Sequence, residues 1–285
     1  MIQDIAPYKL SNQYLPDKIC GPEDTVISVQ GGSLLVGKGD AELRFPRRDE
    51  LPGDISCRYL FAINGQDFYL AEEPVAEAAG YRYLGLRDIR YQLKGPRFLM
   101  YAAYTAFHLA VWYRDNRFCG RCGGGTEHSE KERALKCPHC GNVIYPRLIP
   151  AVIVGVINGD SILMTKYANR PMSFYALIAG FTEIGETLEE CVAREVREEA
   201  GLKVKNLRYY KSQPWGSVQD VLMGFYCDVD GDTTIQLERN ELKEGRWVPR
   251  EEIEGQLDDF SLTHEMMMTF KAGREPKAQN SLPEA

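Results

Sequence analysis

The chain has 285 residues, 44% of them hydrophobic and 26% charged, enough for about two packed domains and too apolar for disorder over its bulk. A net charge of −7, from 34 basic and 41 acidic residues, excludes a nucleic-acid affinity spread over the whole surface, though not a local basic patch. The longest apolar runs, 101–113 and 148–157, fall short of the ~20 residues a membrane span needs, and no basic start followed by an apolar core marks a signal peptide, so a soluble cytoplasmic protein is the expectation.

Residues 25–37 read as two short strands around Gly31-Gly32. Residues 58–73 read as a hairpin, because Asn64-Gly65 between apolar runs suits a tight two-residue turn. Gly95-Pro96 leads into an apolar, helix-compatible stretch from Arg97 to about Arg114, with proline suited to a first helical turn. A β-rich N-terminal domain ending in a helix is therefore expected over 1–115. A small cysteine-bearing knob follows over 116–146. Beyond it, 146–158, 159–167 and 175–181 read as strands, then an acidic helix, then strands at 204–215, 221–229 and 245–249, and a last helix from about Ser261. These elements make a mixed α/β domain over 147–273. The tail 274–285, with two prolines and no large apolar run, is expected to be disordered. The fold class is α+β.

Four of the eight cysteines form two CxxC pairs, Cys119/Cys122 and Cys137/Cys140, while Cys20, Cys57, Cys191 and Cys227 are scattered singly. A disulfide framework would be spread through a short secreted chain, so this pattern points to metal in a reducing compartment. Two thiolates three residues apart, joined through a tight turn, can face one cation, and two such knuckles complete a tetrahedral Zn²⁺ site. His128 and His139 lie nearby but four thiolates need no substitute. A fully ligated zinc has no open position for chemistry, so one structural Zn²⁺ per chain is expected; four free cysteines are the alternative.

In residues 180–202, Glu195, Glu198 and Glu199 stand at i, i+3 and i+4, so a helix puts their carboxylates on one face. Leu188, Val192 and Val196 recur on another face suited to packing on a sheet, and Gly201 suits a helix C-cap. Like-charged carboxylates on adjacent turns repel unless a cation sits between them, and oxygen ligands suit Mg²⁺ or Mn²⁺. A solvated acidic helix is the alternative.

The segment matches G-x5-E-x7-R-E-U-x-E-E-x-G-U at Gly180, Glu186, Arg194, Glu195, Val196, Glu198, Glu199, Gly201 and Leu202, and on these residues the chain resembles the Nudix hydrolases. The resemblance implies a C-terminal α/β/α sandwich with a mixed sheet and metal-dependent attack of water on a pyrophosphate. It implies that Glu195 and Glu199 are metal ligands helped by the backbone carbonyl of Ala179. Glu198 would be a further ligand or the water-activating base, Arg194 would orient the glutamates, and Glu186 would support the loop. A further carboxylate usually comes from a downstream loop; Glu241 is the candidate, with Glu238 and Glu244 as rivals.

The four-cysteine knob, the β-rich domain before it, Tyr145 just after the last cysteine and Ser212-Gln213-Pro214-Trp215 are similar to the NADH pyrophosphatase subfamily. That resemblance implies cleavage of NADH and NAD⁺ into nicotinamide mononucleotide and AMP, removal of NAD caps from RNA 5′ ends, and a homodimer. It implies substrate contacts by Tyr145, Phe181 and the segment Gln213, Pro214, Trp215, Gly216, Ser217, Val218, Gln219 and Asp220. The subfamily carries SQPWPFPxS where this chain has Gly216-Ser217-Val218-Gln219-Asp220: an aromatic and both prolines are gone, and Asp220 replaces a serine, which opens another specificity such as ADP-ribose or diadenosine polyphosphates. A zinc-ribbon binding module with an inactive Nudix domain is the other rival. Arg114, Arg117, Arg121, Lys131, Arg133, Lys136 and Arg147 around the knob are candidates for contact with RNA. Trp112 and Trp247 are assigned to the core.

Overall fold

The computed structural model describes residues 1–39, 41–77, 80–168 and 174–278. Contacts divide the chain into two units, one of 2–147 with 215–219, the other of residue 1, 148–214 and 220–285.

In the first unit the early strands are β1 (Leu10–Ser11), β2 (Thr25–Ile27), β3 (Val29–Gln30), β4 (Ser33–Gly37), β5 (Cys57–Ile63), β6 (Gln66–Ala71) and β7 (Tyr81–Gly85). They form a four-stranded sheet, β1-β5-β6-β2, and a three-stranded one, β3-β4-β7. The hairpin expected at Asn64-Gly65 is present: both residues have positive φ, 50° and 84°, the conformation that a two-residue turn between twisted strands demands. Val26, Leu35, Ala71 and Tyr81 form a core between these strands. A helix not expected from the sequence, α1 (Leu86–Gln92), follows β7. It is seven residues long and buries only Leu86 and Ile89, too short for a periodic pattern to register. The expected helix is α2 (Arg97–Asp115), with Pro96 at its N-cap, and it buries Ala102, Ala103, Ala106 and Trp112. The knob adds a small sheet of β8 (Glu127–His128), β9 (Leu135–Lys136) and β10 (Val143–Ile144). Arg133 fastens it: its guanidinium donates to the Leu60 carbonyl (2.7 Å) and lies over the Tyr14 ring, while the Tyr14 hydroxyl donates to the Ser129 carbonyl (2.6 Å).

The second unit is built on β11 (Ile149–Asn158), β12 (Ser161–Tyr167), β13 (Ile178–Phe181), β14 (Val204–Trp215), β15 (Asp220–Val229) and β16 (Leu242–Pro249), with α3 (Leu188–Ala200) and α4 (Leu262–Lys271). The strand order is β14-β15-β11-β12-β16, with β13 paired to β11; β11 and β15 run parallel while β11 is antiparallel to β12 and β13, so the sheet is mixed. Val192 and Val196 of α3 pack on Val152, Val154 and Ile178 on one face. Leu262, Met266 and Phe270 of α4 pack on Ile153, Leu177 and Tyr226 on the other. The α+β class and the α/β/α sandwich are thus as expected. Trp112 is buried; Trp247 is half-buried with its indole N–H on the Thr233 carbonyl. Of the tail expected to be disordered, 274–278 is described: Glu275 is buried and its carboxylate pairs with Arg250 (3.1 Å); the rest lies outside the described residues. No described helix is long and apolar enough to cross a membrane.

Candidate active site

The acidic helix starts where its sequence says it should. Thr187 caps it, accepting from the Glu190 amide (3.2 Å), while the Glu190 carboxylate accepts from the Thr187 amide (2.7 Å). Gly201 ends it in the left-handed region at φ 70°. Between β13 and this helix, Arg194 ties the loop to the helix. Its guanidinium donates to both oxygens of Glu186 (2.7 and 2.9 Å), to Glu195 (2.8 Å), to Glu198 (3.0 Å) and to the Phe181 carbonyl (2.9 Å). The bidentate pair with this planar fork holds the Glu186 carboxyl down to about 2. Gly180 completes the arrangement, because the Glu195 carboxylate lies so close that a Cβ at position 180 would overlap it.

The three helix carboxylates share a face but not an environment. Glu199 is 3% exposed, whereas the Glu198 side chain is 56% exposed and turned to Arg194. Glu195 is mostly buried, and that desolvation raises its proton affinity; Arg194 works the other way, and the charges of Glu198 and Glu241 add to the rise. That coupling places the charge of Glu241 within range of Glu195. Its rivals are engaged elsewhere: Glu238 accepts from the Asn240 amide and side chain (3.0 and 2.7 Å), and Glu244 takes Lys166 (2.7 Å) and the Tyr175 hydroxyl. A buried carboxylate whose proton affinity is raised by burial and like charge, seated in a cradle that a Cβ would fill, suits a hard divalent cation. The carboxylates do not converge as the thiolates do, since Arg194 draws Glu195 and Glu198 to itself.

The residues expected to contact substrate fall into two groups. In the second unit, the Phe181 ring is 54% exposed at the end of β13. Gln213 is fully buried, donating to the Phe260 carbonyl and accepting from the Leu262 amide (both 2.7 Å), so it holds the start of α4; Pro214 is exposed. Asp220 opens β15 beside Ile149, 4% exposed, with one carboxylate oxygen lacking a hydrogen-bond partner among the described residues; burial pushes its carboxyl up to about 6.

In the first unit, the Tyr145 ring is exposed with its hydroxyl donating to Glu132 (3.1 Å). Trp215 is half-buried there, its ring 5.0 Å from that of Tyr104 and 5.1 Å from the Arg90 guanidinium. Gly216 approaches the Tyr104 carbonyl so closely that any Cβ would collide with it. Ser217 is half-buried, Val218 exposed, and Gln219 buried at φ 65°. Neither Arg90 nor Tyr104 carried a signal in the sequence, because Arg90 sits in the unrecognised α1 and Tyr104 reads as an ordinary core aromatic of α2.

In the knob, the sulfurs of Cys119, Cys122, Cys137 and Cys140 all lie within 4.8 Å of one another. The two knuckles repeat one geometry: Gly123 donates to the Cys119 carbonyl (2.8 Å) and Gly141 to the Cys137 carbonyl (2.9 Å), both glycines at positive φ, 75° and 71°. The glycine after each pair is therefore what lets the turn close. This four-sulfur set fits Zn²⁺. Of the basic residues around it, Arg114 pairs with Asp115 (2.8 Å), Arg117 lies 3.8 Å from Glu73, and Arg133 is spent on Leu60 and Tyr14. Arg121, Lys131, Lys136 and Arg147 are exposed.

A model of the NUDIX domain matches residues 147–269, and one of the NADH pyrophosphatase zinc ribbon domain matches 114–145. The NAD-capped RNA hydrolase NudC of Pseudomonas aeruginosa is 34% identical over 251 residues, covering 86% of this chain and 88% of its own length. The protein of that name from Salmonella typhi is 38% identical over 175 residues, 61% of this chain and 68% of its own. A solved NUDIX hydrolase from Nitrosomonas europaea is 25% identical, covers 55% of this chain and 92% of its own, and has a TM-score of 0.49.

Proposed function

The chain belongs to the NUDIX hydrolase family and carries that family's NADH pyrophosphatase zinc ribbon, and from this premise we propose that it hydrolyses NADH and NAD⁺ to nicotinamide mononucleotide and AMP and removes NAD caps from RNA 5′ ends. The observation that carries the reading is the Arg194 network, which sets Glu186, Glu195 and Glu198 in one braced array beside buried Glu199.

Glu195, Glu198, Glu199, Glu241 and the carbonyl of Ala179 are the groups that would hold Mg²⁺ or Mn²⁺. When bound, the cation neutralises the pyrophosphate and lowers the pKa of a water. Water then adds to one phosphorus as the bridging P–O bond breaks. Glu198, the most exposed of the three helix carboxylates, would serve either as a further ligand or as the base that takes that water's proton. Arg194 acts through the glutamates by fixing their rotamers. Phe181 and Tyr145 supply exposed rings for stacking, worth about 1–3 kcal/mol per base on similar platforms. Asp220 supplies a hydrogen-bond acceptor, while Gln213 and Trp215 act by holding their segment. The zinc knob over 116–146 is structural, the N-terminal domain spans 1–115 and the chemistry resides in 147–273. The protein is proposed to be cytoplasmic and a homodimer, with Arg121, Lys131, Lys136 and Arg147 as candidate contacts for the RNA body.

The test is product analysis with Mg²⁺ or Mn²⁺ on NADH, ADP-ribose and a short NAD-capped RNA, wild type beside Glu199→Gln. Nicotinamide mononucleotide released by the wild type alone is the expected result. Cleavage of ADP-ribose alone would show that the altered segment after Trp215 has redirected specificity, and no turnover of any substrate would sink the assignment.

A further inference from the structure

Among the buried acids of the second unit, Asp220 is the one whose charge nothing answers. One of its carboxylate oxygens has no hydrogen-bond partner, and no cation opposes the effect of burial on its proton affinity, among the described residues. Its counterparts are matched: Asp228 meets Arg208 (2.7 Å), Glu275 meets Arg250 (3.1 Å) and Glu195 meets Arg194 (2.8 Å). A bare carboxylate in a buried place is costly unless a ligand brings the positive partner.

Strand register fixes where that charge lies. Phe181 pairs with Ala151, and Ala151 with Leu222, in one row across β13, β11 and β15. Ile149 and Asp220 form the row two residues further along, and the two-residue alternation puts them on the same face. That face is the one covered by α4: Ala179, Ile153 and Leu222 belong to its core, and a Cβ at Gly224 would meet Met266 and Leu262. Glu195 approaches Gly180 from the opposite face, so the cation proposed for the α3 glutamates is not the missing partner of Asp220. Two strands across at ~4.8 Å each and two residues along at ~3.3 Å each put the backbones of Asp220 and Phe181 about 12 Å apart. A ring stacked on the exposed Phe181 therefore shares a sheet face with an uncompensated carboxylate.

Charge decides which ring gains from this. Adenine is neutral, the pyrophosphate is anionic and reduced nicotinamide is neutral. Oxidised nicotinamide is a pyridinium, the one cation in the dinucleotide. The serine of the subfamily pattern carries no charge with which to tell the two redox forms apart, whereas a carboxylate attracts one and not the other. At pH 8 the group is ionised, because burial pushes its carboxyl up only to about 6.

We propose that Asp220 is a specificity-determining residue that selects the oxidised, cationic nicotinamide ring over the reduced one at the Phe181 face. The inference rests on the function proposed above and deepens it by ranking NAD⁺ ahead of NADH. An RNA cap in the NAD⁺ form carries the same cationic ring and is favoured with it.

The test measures kcat/KM on NAD⁺ and on NADH at pH 8 for wild type, Asp220→Asn and Asp220→Ser, with thermal melts to verify the fold. The readout is the NAD⁺/NADH ratio, because a packing defect lowers both rates together and leaves the ratio alone. Calorimetric binding of oxidised and reduced nicotinamide mononucleotide to the full chain gives the same ratio without turnover. Both substitutions are expected to lower each ratio about tenfold, the effect of a unit charge at this range in an effective dielectric of about 20. Ratios that stay within about twofold of wild type in both variants overturn the selection. Wild type that hydrolyses neither dinucleotide would sink the proposed function instead, and the binding ratio then still decides for or against Asp220.

Discussion

Residues 180–202 and residues 213–220 are both short motif segments with dense spacing, yet they fold under different rules. In the first, the partners are one another: Arg194 meets Glu186, Glu195 and Glu198, and Gly180 makes room for Glu195. Every contact closes within about fifteen residues of sequence, so spacing alone fixes the geometry. In the second, the ends join β14 to its neighbour β15, but the side chains that set the segment apart reach elements far away in sequence. Gln213 goes to Phe260 and Leu262, Trp215 to Arg90 and Tyr104, and Asp220 to a buried position with an oxygen unmatched among the described residues. A motif that contacts itself carries its structure in its spacing; one that contacts distant elements does not.

The largest expected effect lies in the first segment. Glu199→Gln removes a buried carboxylate proposed to hold the cation and should lower kcat on NADH by about 10³-fold, roughly 4 kcal/mol of barrier, with the melting temperature held or raised. A loss below tenfold would break the comparison at its strong end.

Two glycine substitutions sharpen it further. In Gly180→Ala the new methyl meets the movable end of Glu195, so the carboxylate is displaced and the backbone is not. Activity should fall about 10²-fold with little change in stability. In Gly216→Ala the methyl meets the Tyr104 carbonyl, a backbone atom that cannot swing aside, so stability should fall by about 1–3 kcal/mol. Thermal melts beside steady-state kinetics on both variants would separate the two patterns, and the same signature from both glycines would mean the segments do not differ in kind.

The same distinction explains what the sequence made legible. Strands and helices with long periodic patterns, such as β11, α2 and α3, stand where expected, and the four thiolates converge because CxxCG is a self-contained turn. The seven-residue α1 offered no period, so the Arg90 partner of Trp215 could not be foreseen. Tyr175 read only as one apolar strand residue, since the cations that lie over its ring come from β12 and β16, at residues 166 and 246. The grading from Glu199 to Glu198 is likewise a matter of which side of a helix face meets the sheet, which a helical wheel shows only coarsely.

The smallest expected effect isolates Asp220, one of the residues at which the second segment departs from the subfamily pattern. Burial places its folded pKa at about 6, above the unfolded value near 3.9. Between these values the folded state binds more protons than the unfolded state, so the group's contribution is most favourable below about pH 4 and is lost as pH rises through 6. A tenfold change in proton affinity is worth roughly 1.4 kcal/mol, so Asp220→Ser should stabilise the protein by about 2 kcal/mol at pH 8 and by much less at pH 4. Denaturant melts of wild type and variant across this range read the difference directly. A gain that is the same at both pH values would mean the carboxyl is solvated or paired in the folded protein, and Asp220 would lose its claim to be the acceptor waiting for substrate.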